Sequence, residues 1–144
     1  NPIERLNRKV LIELTRRSVA EAHEHNPNAL GFIIHGSWAN EGLDGKMQPR
    51  EDSDLDVITI RQNSDAKAAT ELGNILFKKI GTIYTILVDT GPWGSVELEK
   101  VHQTVNSRSD KERFRQEWKH LDDTIIVIGT NPEIESSVKK ALFE

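Results

Sequence analysis

A nearly continuous apolar run, Leu30-Gly31-Phe32-Ile33-Ile34, passes through His35 into Gly36-Ser37-Trp38-Ala39-Asn40-Glu41-Gly42. A second run, Leu55 to Ile60, opens on Ser53-Asp54-Leu55-Asp56. Short runs of aliphatic and β-branched residues bounded by turn residues read as largely buried strands. Successive side chains alternate faces in a strand, so Asp54 and Asp56 point the same way with Cα atoms roughly 6.6 Å apart. Like charges on one face of a buried strand resist desolvation unless a cation offsets them. A hard divalent ion such as Mg²⁺ suits the pair, because it takes one or two protein carboxylates and completes its octahedron with water and phosphate oxygens. The same spacing also fits a strand end whose acids face water.

The upstream segment adds a phosphate donor. Gly36 lets the backbone approach a ligand, and a helix starting at Ser37 would turn free N–H groups toward an anion. Phosphate donors beside metal ligands are the equipment of phosphoryl or nucleotidyl transfer, in which positioning and charge neutralisation do most of the catalysis.

At these residues the chain resembles the nucleotidyltransferase superfamily that includes DNA polymerase beta, in particular its minimal nucleotidyltransferase members. That pattern is a strand ending in Gly-Ser, an Ala and a Gly soon after, then Ser-Asp-x-Asp opening the next strand. Gly36, Ser37, Ala39, Gly42, Ser53, Asp54 and Asp56 match it in order. The resemblance spans residues 30 to 130. It implies an α/β (α+β) nucleotidyltransferase fold, a small mixed β-sheet flanked by helices. It further implies Mg²⁺ on Asp54 and Asp56, nucleotide binding by Gly36, Ser37 and Ser53, and a nucleoside triphosphate, ATP foremost, as substrate. The acceptor hydroxyl would belong to a protein, an RNA or a small molecule. A binding module that has lost catalysis is the alternative, and the resemblance allows a small helical partner protein of the toxin-antitoxin kind.

The chain departs from that pattern in three places. The gap between Ser37 and Asp54 is long, with Glu41 to Glu51 reading as a polar loop. Position 38 is Trp, which either stacks on a nucleobase or packs beneath the loop. The family's third acid stands on a following strand, and the run Thr82 to Val88 that reads as that strand contains none. Alignment puts Tyr84, or Thr85, where the third acid would stand, and leaves Asp89 at the strand's far end as the nearest substitute catalytic carboxylate. Asp89 reads equally as a cap for the turn before Pro92.

The remaining elements are read from periodicity. Asn1-Pro2 starts a helix with Ile3, Leu6, Val10 and Leu14 as its stripe, closing near the solvated His23 and His25. A second helix runs from Ser64 to Gly81 with Ala68, Leu72, Ile75, Leu76 and Lys79 along one side. Ser95 to Leu121 reads as helical and broken at Asn106 to Asp110, with Arg108, Lys111, Arg113, Arg115 and Lys119 as cations for a phosphate or for solvent. Asp123 to Gly129 reads as a strand, and Asn131-Pro132 opens a last helix facing Ile134, Val138, Ala141 and Leu142 inward.

The 144 residues, 36% hydrophobic and 29% charged, suit one domain, residues 1–144. The net charge of −4 argues against a broadly basic nucleic-acid binder. With no cysteine, disulfide and thiolate chemistry are excluded, and a cytoplasmic setting without membrane contact is the expectation.

Overall fold

The computed structural model describes residues 6–36, 38, 54–84, 86–89, 94–101, 103, 112 and 125–143, with Asp89 and Phe143 described by backbone alone. Ser37, Ser53, the polar loop at 41–51 and the basic residues between 108 and 119 lie outside that set.

Helix α1 spans Arg8–His25. It starts later than Asn1-Pro2 would have it, because Asn7 is the cap: its side chain accepts from the Val10 N–H at 3.0 Å. The buried stripe is accordingly Leu11, Thr15, Ser18, Val19 and Ala22, with Val10 and Leu14 only partly buried at its margin. Thr15 and Ser18 are tolerated in that stripe because their hydroxyls donate back to the Leu11 and Leu14 carbonyls at 2.7 and 2.8 Å. His23 is half-buried rather than solvated, with Nδ1 3.0 Å from the Ala29 carbonyl, a contact that needs the proton on Nδ1.

Strands β1 (Ala29–His35), β2 (Leu55–Arg61), β3 (Val88–Asp89), β4 (Ser95–Glu97) and β5 (Ile126–Gly129) form one mixed sheet. β1 runs antiparallel to β2 on one side and to β5 on the other. β3 and β4 both pair in parallel with the free edge of β2, so the sheet is four strands wide, β3/β4–β2–β1–β5.

Both faces of the central strands are covered, which is why their sequences are nearly unbroken apolar runs. Phe32, Ile34, Leu55, Val57, Ile126 and Ile128 pack on α1 and on helix α2, Ala66–Leu76. Ile33, Ile58, Ile60, Val96 and Val127 face the other way, onto Val101 and onto Val138 and Leu142 of helix α3, Pro132–Phe143. Strands β1, β2 and β5 and helix α3 stand where periodicity puts them, and Ile134 and Ala141 flank Val138 as expected. The result is a small α+β domain with a mixed sheet, four strands wide, flanked by helices. Among the described residues no helix is long and apolar enough to cross a membrane.

Two segments differ from the sequence reading. No strand starts at Thr82: α2 continues through a π-helical turn, Phe77–Gly81, into a helical turn, Thr82–Tyr84, and β3 begins at Val88. Leu72, Leu76 and Ile80 are buried at four-residue intervals, and Tyr84 packs partly on the same core. A strict four-residue repeat drifts by about 40° per step around an ideal 3.6-residue helix. The wider π turn takes up that drift and keeps the stripe on the core. Gly81 does not stop the helix; a Cβ there would meet the Phe77 ring at 2.7 Å, so glycine makes room for that ring.

Ser95–Glu97 is likewise a strand and not a helix start. Arg61 of β2 holds it, donating from one guanidinium nitrogen to Ser95 Oγ at 3.0 Å and standing 3.8 Å from the Glu97 carboxylate.

Asp65 caps α2 and ties it to the α1–β1 turn. One carboxylate oxygen accepts from the Lys67 and Ala68 N–H groups, and the other accepts from the Asn26 and Asn28 amides at 3.0 Å each. Hydrogen bonds from Asn28 and then Asn26 hold its pKa below the usual aspartate value; burial opposes them, and the Ala68 and Lys67 N–H groups add to the lowering. A carboxyl whose folded pKa is depressed contributes stability that is present above its unfolded pKa and lost as pH falls through the folded value. Asp65→Ala should lower the melting temperature at pH 7 by about 3–8 °C, and the gap from wild type should close on acidification below pH ~4. A gap that stays constant down to pH ~2 would show that the carboxylate charge is not what matters.

Candidate active site

Gly36, Asp54 and Asp56, singled out in the sequence, lie where β1 ends and β2 begins. Leu55 and Val57 are fully buried against α1 and α2, so alternation turns Asp54 and Asp56 to the opposite face. Asp54 is exposed just ahead of β2, and Asp56 is half-buried within it.

Gly36 follows β1 with φ +76°, in the left-handed region. A Cβ built on it would collide with Oδ2 of Asp56, so the aspartate carboxylate occupies the space that any other residue's side chain needs. Glycine at 36 is thus required twice, by backbone angle and by the carboxylate against it.

The Leu55 N–H donates to the Leu87 carbonyl at 2.8 Å, and the ladder pairs Leu55 with Val88 and Asp56 with Asp89. On the other side of β2, His35 pairs with Asp56. His35, Asp56 and Asp89 therefore stand in one row across three adjacent strands. This corrects the placement of Asp89 at the far end of a strand over 82–88. Tyr84, aligned with the third acid, is helical and half-buried on the core, whereas Asp89 arrives level with Asp56.

His35 carried no signal as a site residue in the sequence, where it only closes an apolar run. Its position follows from the β1–β2 register, and the long segment between the two strands hides that register from sequence reasoning. Trp38 is 3% exposed and belongs to the cluster under α1 and α2, so it packs instead of presenting a ring for stacking.

Two carboxylates on one face are oxygen donors of the kind a hard divalent ion takes. Among the described residues, no group of three or more His, Cys, Asp or Glu side chains is spaced to hold a metal. His35, Asp54 and Asp56 do not make such a group by themselves, and Asp89 enters through its backbone register alone. The fit to a metal thus rests on two carboxylates and one level strand position.

A groove of about 440 Å³ lies elsewhere, between α2 and the β3/β4 edge, with Thr59, Val88 and Ser95 among its lining. Thr59 and Val88 share the face of Leu55 and Val57, so this groove and the aspartates are on opposite sides of the sheet.

Comparisons of the chain with protein-family models, with curated proteins and with solved structures gave no match.

Proposed function

We propose that this chain is a metal-dependent nucleotidyltransferase of the DNA polymerase beta-like fold, moving a nucleoside monophosphate from a triphosphate, ATP foremost, to an acceptor hydroxyl. The observation that carries the reading is the level pairing of Asp56 with Asp89, which sets the backbone of a third acid beside the face of β2 that carries Asp56. Asp54 shares that face through its spacing from Asp56. Three acids on adjacent strands beside a Gly-Ser turn is the arrangement that the motif asks for.

Asp54, Asp56 and Asp89 would hold Mg²⁺, which when bound neutralises phosphate charge and lowers the pKa of an attacking hydroxyl. Gly36 lets phosphate oxygens approach the main chain, and Ser37 and Ser53 would donate hydrogen bonds to them. The Asp56 carboxylate lies beside Gly36, in the space that a side chain at 36 would need. The acceptor oxygen bonds to the α-phosphorus as the bond to the bridging oxygen breaks; pyrophosphate leaves, and the acceptor's proton passes to solvent. The acceptor is a protein, an RNA or a small molecule.

Incubation with α-labelled ATP, Mg²⁺ and candidate acceptors should give a labelled product, and replacing Asp54 and Asp56 together with Asn should remove it while leaving the melting temperature within a few degrees. Undiminished labelling by the double variant would move the site elsewhere.

The alternative is a non-catalytic module that keeps the fold and binds a nucleotide or a small helical partner. Calorimetry separates the two, since the module would bind ATP without any dependence on Mg²⁺.

A further inference from the structure

The groove on the face away from the aspartates has the features of a binding site, and we infer that it takes an uncharged nucleobase. Its volume, about 440 Å³, is in the range of small-molecule pockets. None of its described lining residues is charged, so among them it presents no ion-pair partner to a phosphate or a peptide terminus.

Three observations point to an occupant with an aromatic ring and hydrogen-bonding edges. The first is Gly73, in the interior of α2 on the groove wall. A Cβ there would meet nothing within 4 Å, so internal packing does not require glycine at a position where it disfavours the helix more than any residue except proline. Open space above the helix backbone is what a flat ligand needs. The second is Phe77, at the start of the π-helical turn. Its ring leans over Gly81, yet the residue remains 46% exposed, leaving ring surface for stacking. The third is hydrogen-bonding capacity. Ser95 Oγ accepts from Arg61 and keeps its own proton to donate, and the exposed Asn74 amide offers a donor and an acceptor. Ala69 and Val88 complete an apolar surround. Stacking on Phe77, with edge contacts to Asn74 and Ser95, is nucleobase recognition without phosphate recognition.

The same chemistry is presented by a free nucleoside and by a base of a single strand. Saturation-transfer NMR and calorimetry with adenosine, in EDTA so that no divalent ion takes part, should show saturable binding with Kd ~0.1–1 mM. Gly73→Leu fills the groove with a better helix former; it should weaken binding at least tenfold while the melting temperature holds or rises. Phe77→Ala should weaken it by a similar factor. The protein carrying Asn at both Asp54 and Asp56 should bind adenosine like wild type, so this result does not depend on nucleotidyl transfer. A short deoxyadenosine oligomer binding more tightly than adenosine identifies a strand as the source; equal or weaker binding identifies the free nucleoside. No binding at about 10 mM adenosine, or wild-type binding by Gly73→Leu, would overturn the assignment. Loss of binding only when Asp54 and Asp56 are replaced would overturn it as well, by moving the base to the other face.

Discussion

Asp89→Asn should reduce transfer of label from α-labelled ATP by about 10²–10³-fold without a comparable loss of stability. The size follows from the several kcal/mol that a bound metal contributes to transition-state charge, with each 1.36 kcal/mol worth a factor of ten in rate. Asn keeps the shape of the side chain and removes the charge that a metal needs. The backbone role of Asp89, as the partner of Asp56 in a two-residue strand, is unaffected by that change. Tyr84→Phe is the matching control. Tyr84 stands in a helical turn against the core, away from the row of His35, Asp56 and Asp89, so its hydroxyl should matter less than twofold to transfer. If Asp89→Asn transfers label like wild type while Tyr84→Phe does not, the third-acid assignment is wrong.

Gly36→Ala should damage both folding and activity, by separable mechanisms. An alanine at φ +76° carries the cost of a left-handed backbone, about 1–2 kcal/mol. The added methyl also takes the space of Asp56 Oδ2, so either the carboxylate or the turn must move. A carboxylate displaced by 1 Å is enough to cost about 100-fold in rate. The two contributions separate in a double-mutant cycle. Asp56→Ala removes the carboxylate, so Gly36→Ala should destabilise that background less than it destabilises wild type, with a coupling of about 0.5–3 kcal/mol measured by urea unfolding. Strict additivity would mean that the contact between Gly36 and the carboxylate is energetically empty.

The parts of the fold that sequence reveals are those whose burial is two-sided. Leu30 to Ile34, Leu55 to Ile60 and Ile125 to Ile128 are strands because helices cover both faces, and no other short element uses so continuous an apolar run. The last helix is equally legible from Asn131, whose side chain accepts from the Ile134 N–H at 2.9 Å, and from the spacing of Ile134, Val138 and Leu142. The run Thr82 to Val88 misleads because its β-branched residues favour a strand locally. The burial of Leu72, Leu76 and Ile80 instead continues a helix through Gly81 by way of a π turn. Ser95 to Glu97 misleads for the opposite reason. Its polar residues suit a helix start, but Arg61 on the neighbouring strand captures both Ser95 and Glu97.

The candidate site divides in the same way. Asp54, Asp56 and Gly36 are visible in sequence because strand alternation and glycine chemistry are local. Asp89 and His35 depend on how β1 and β3 register against β2, and no local pattern carries that information. The loss of the strand over 82–88 and the gain of Asp89 beside Asp56 are one correction: helical backbone through Tyr84 delays the strand until Val88, and so brings the next acid level with Asp56.

Crystals soaked in Mn²⁺ with a non-hydrolysable ATP analogue, and read by anomalous scattering at the manganese edge, test the central claim most directly. A peak within about 2.0–2.3 Å of carboxylate oxygens from Asp56 and Asp89, with Asp54 on the same ion or on a second one, is the predicted result. A nucleotide bound with no anomalous peak at these aspartates, or a peak coordinated by other residues, would contradict it.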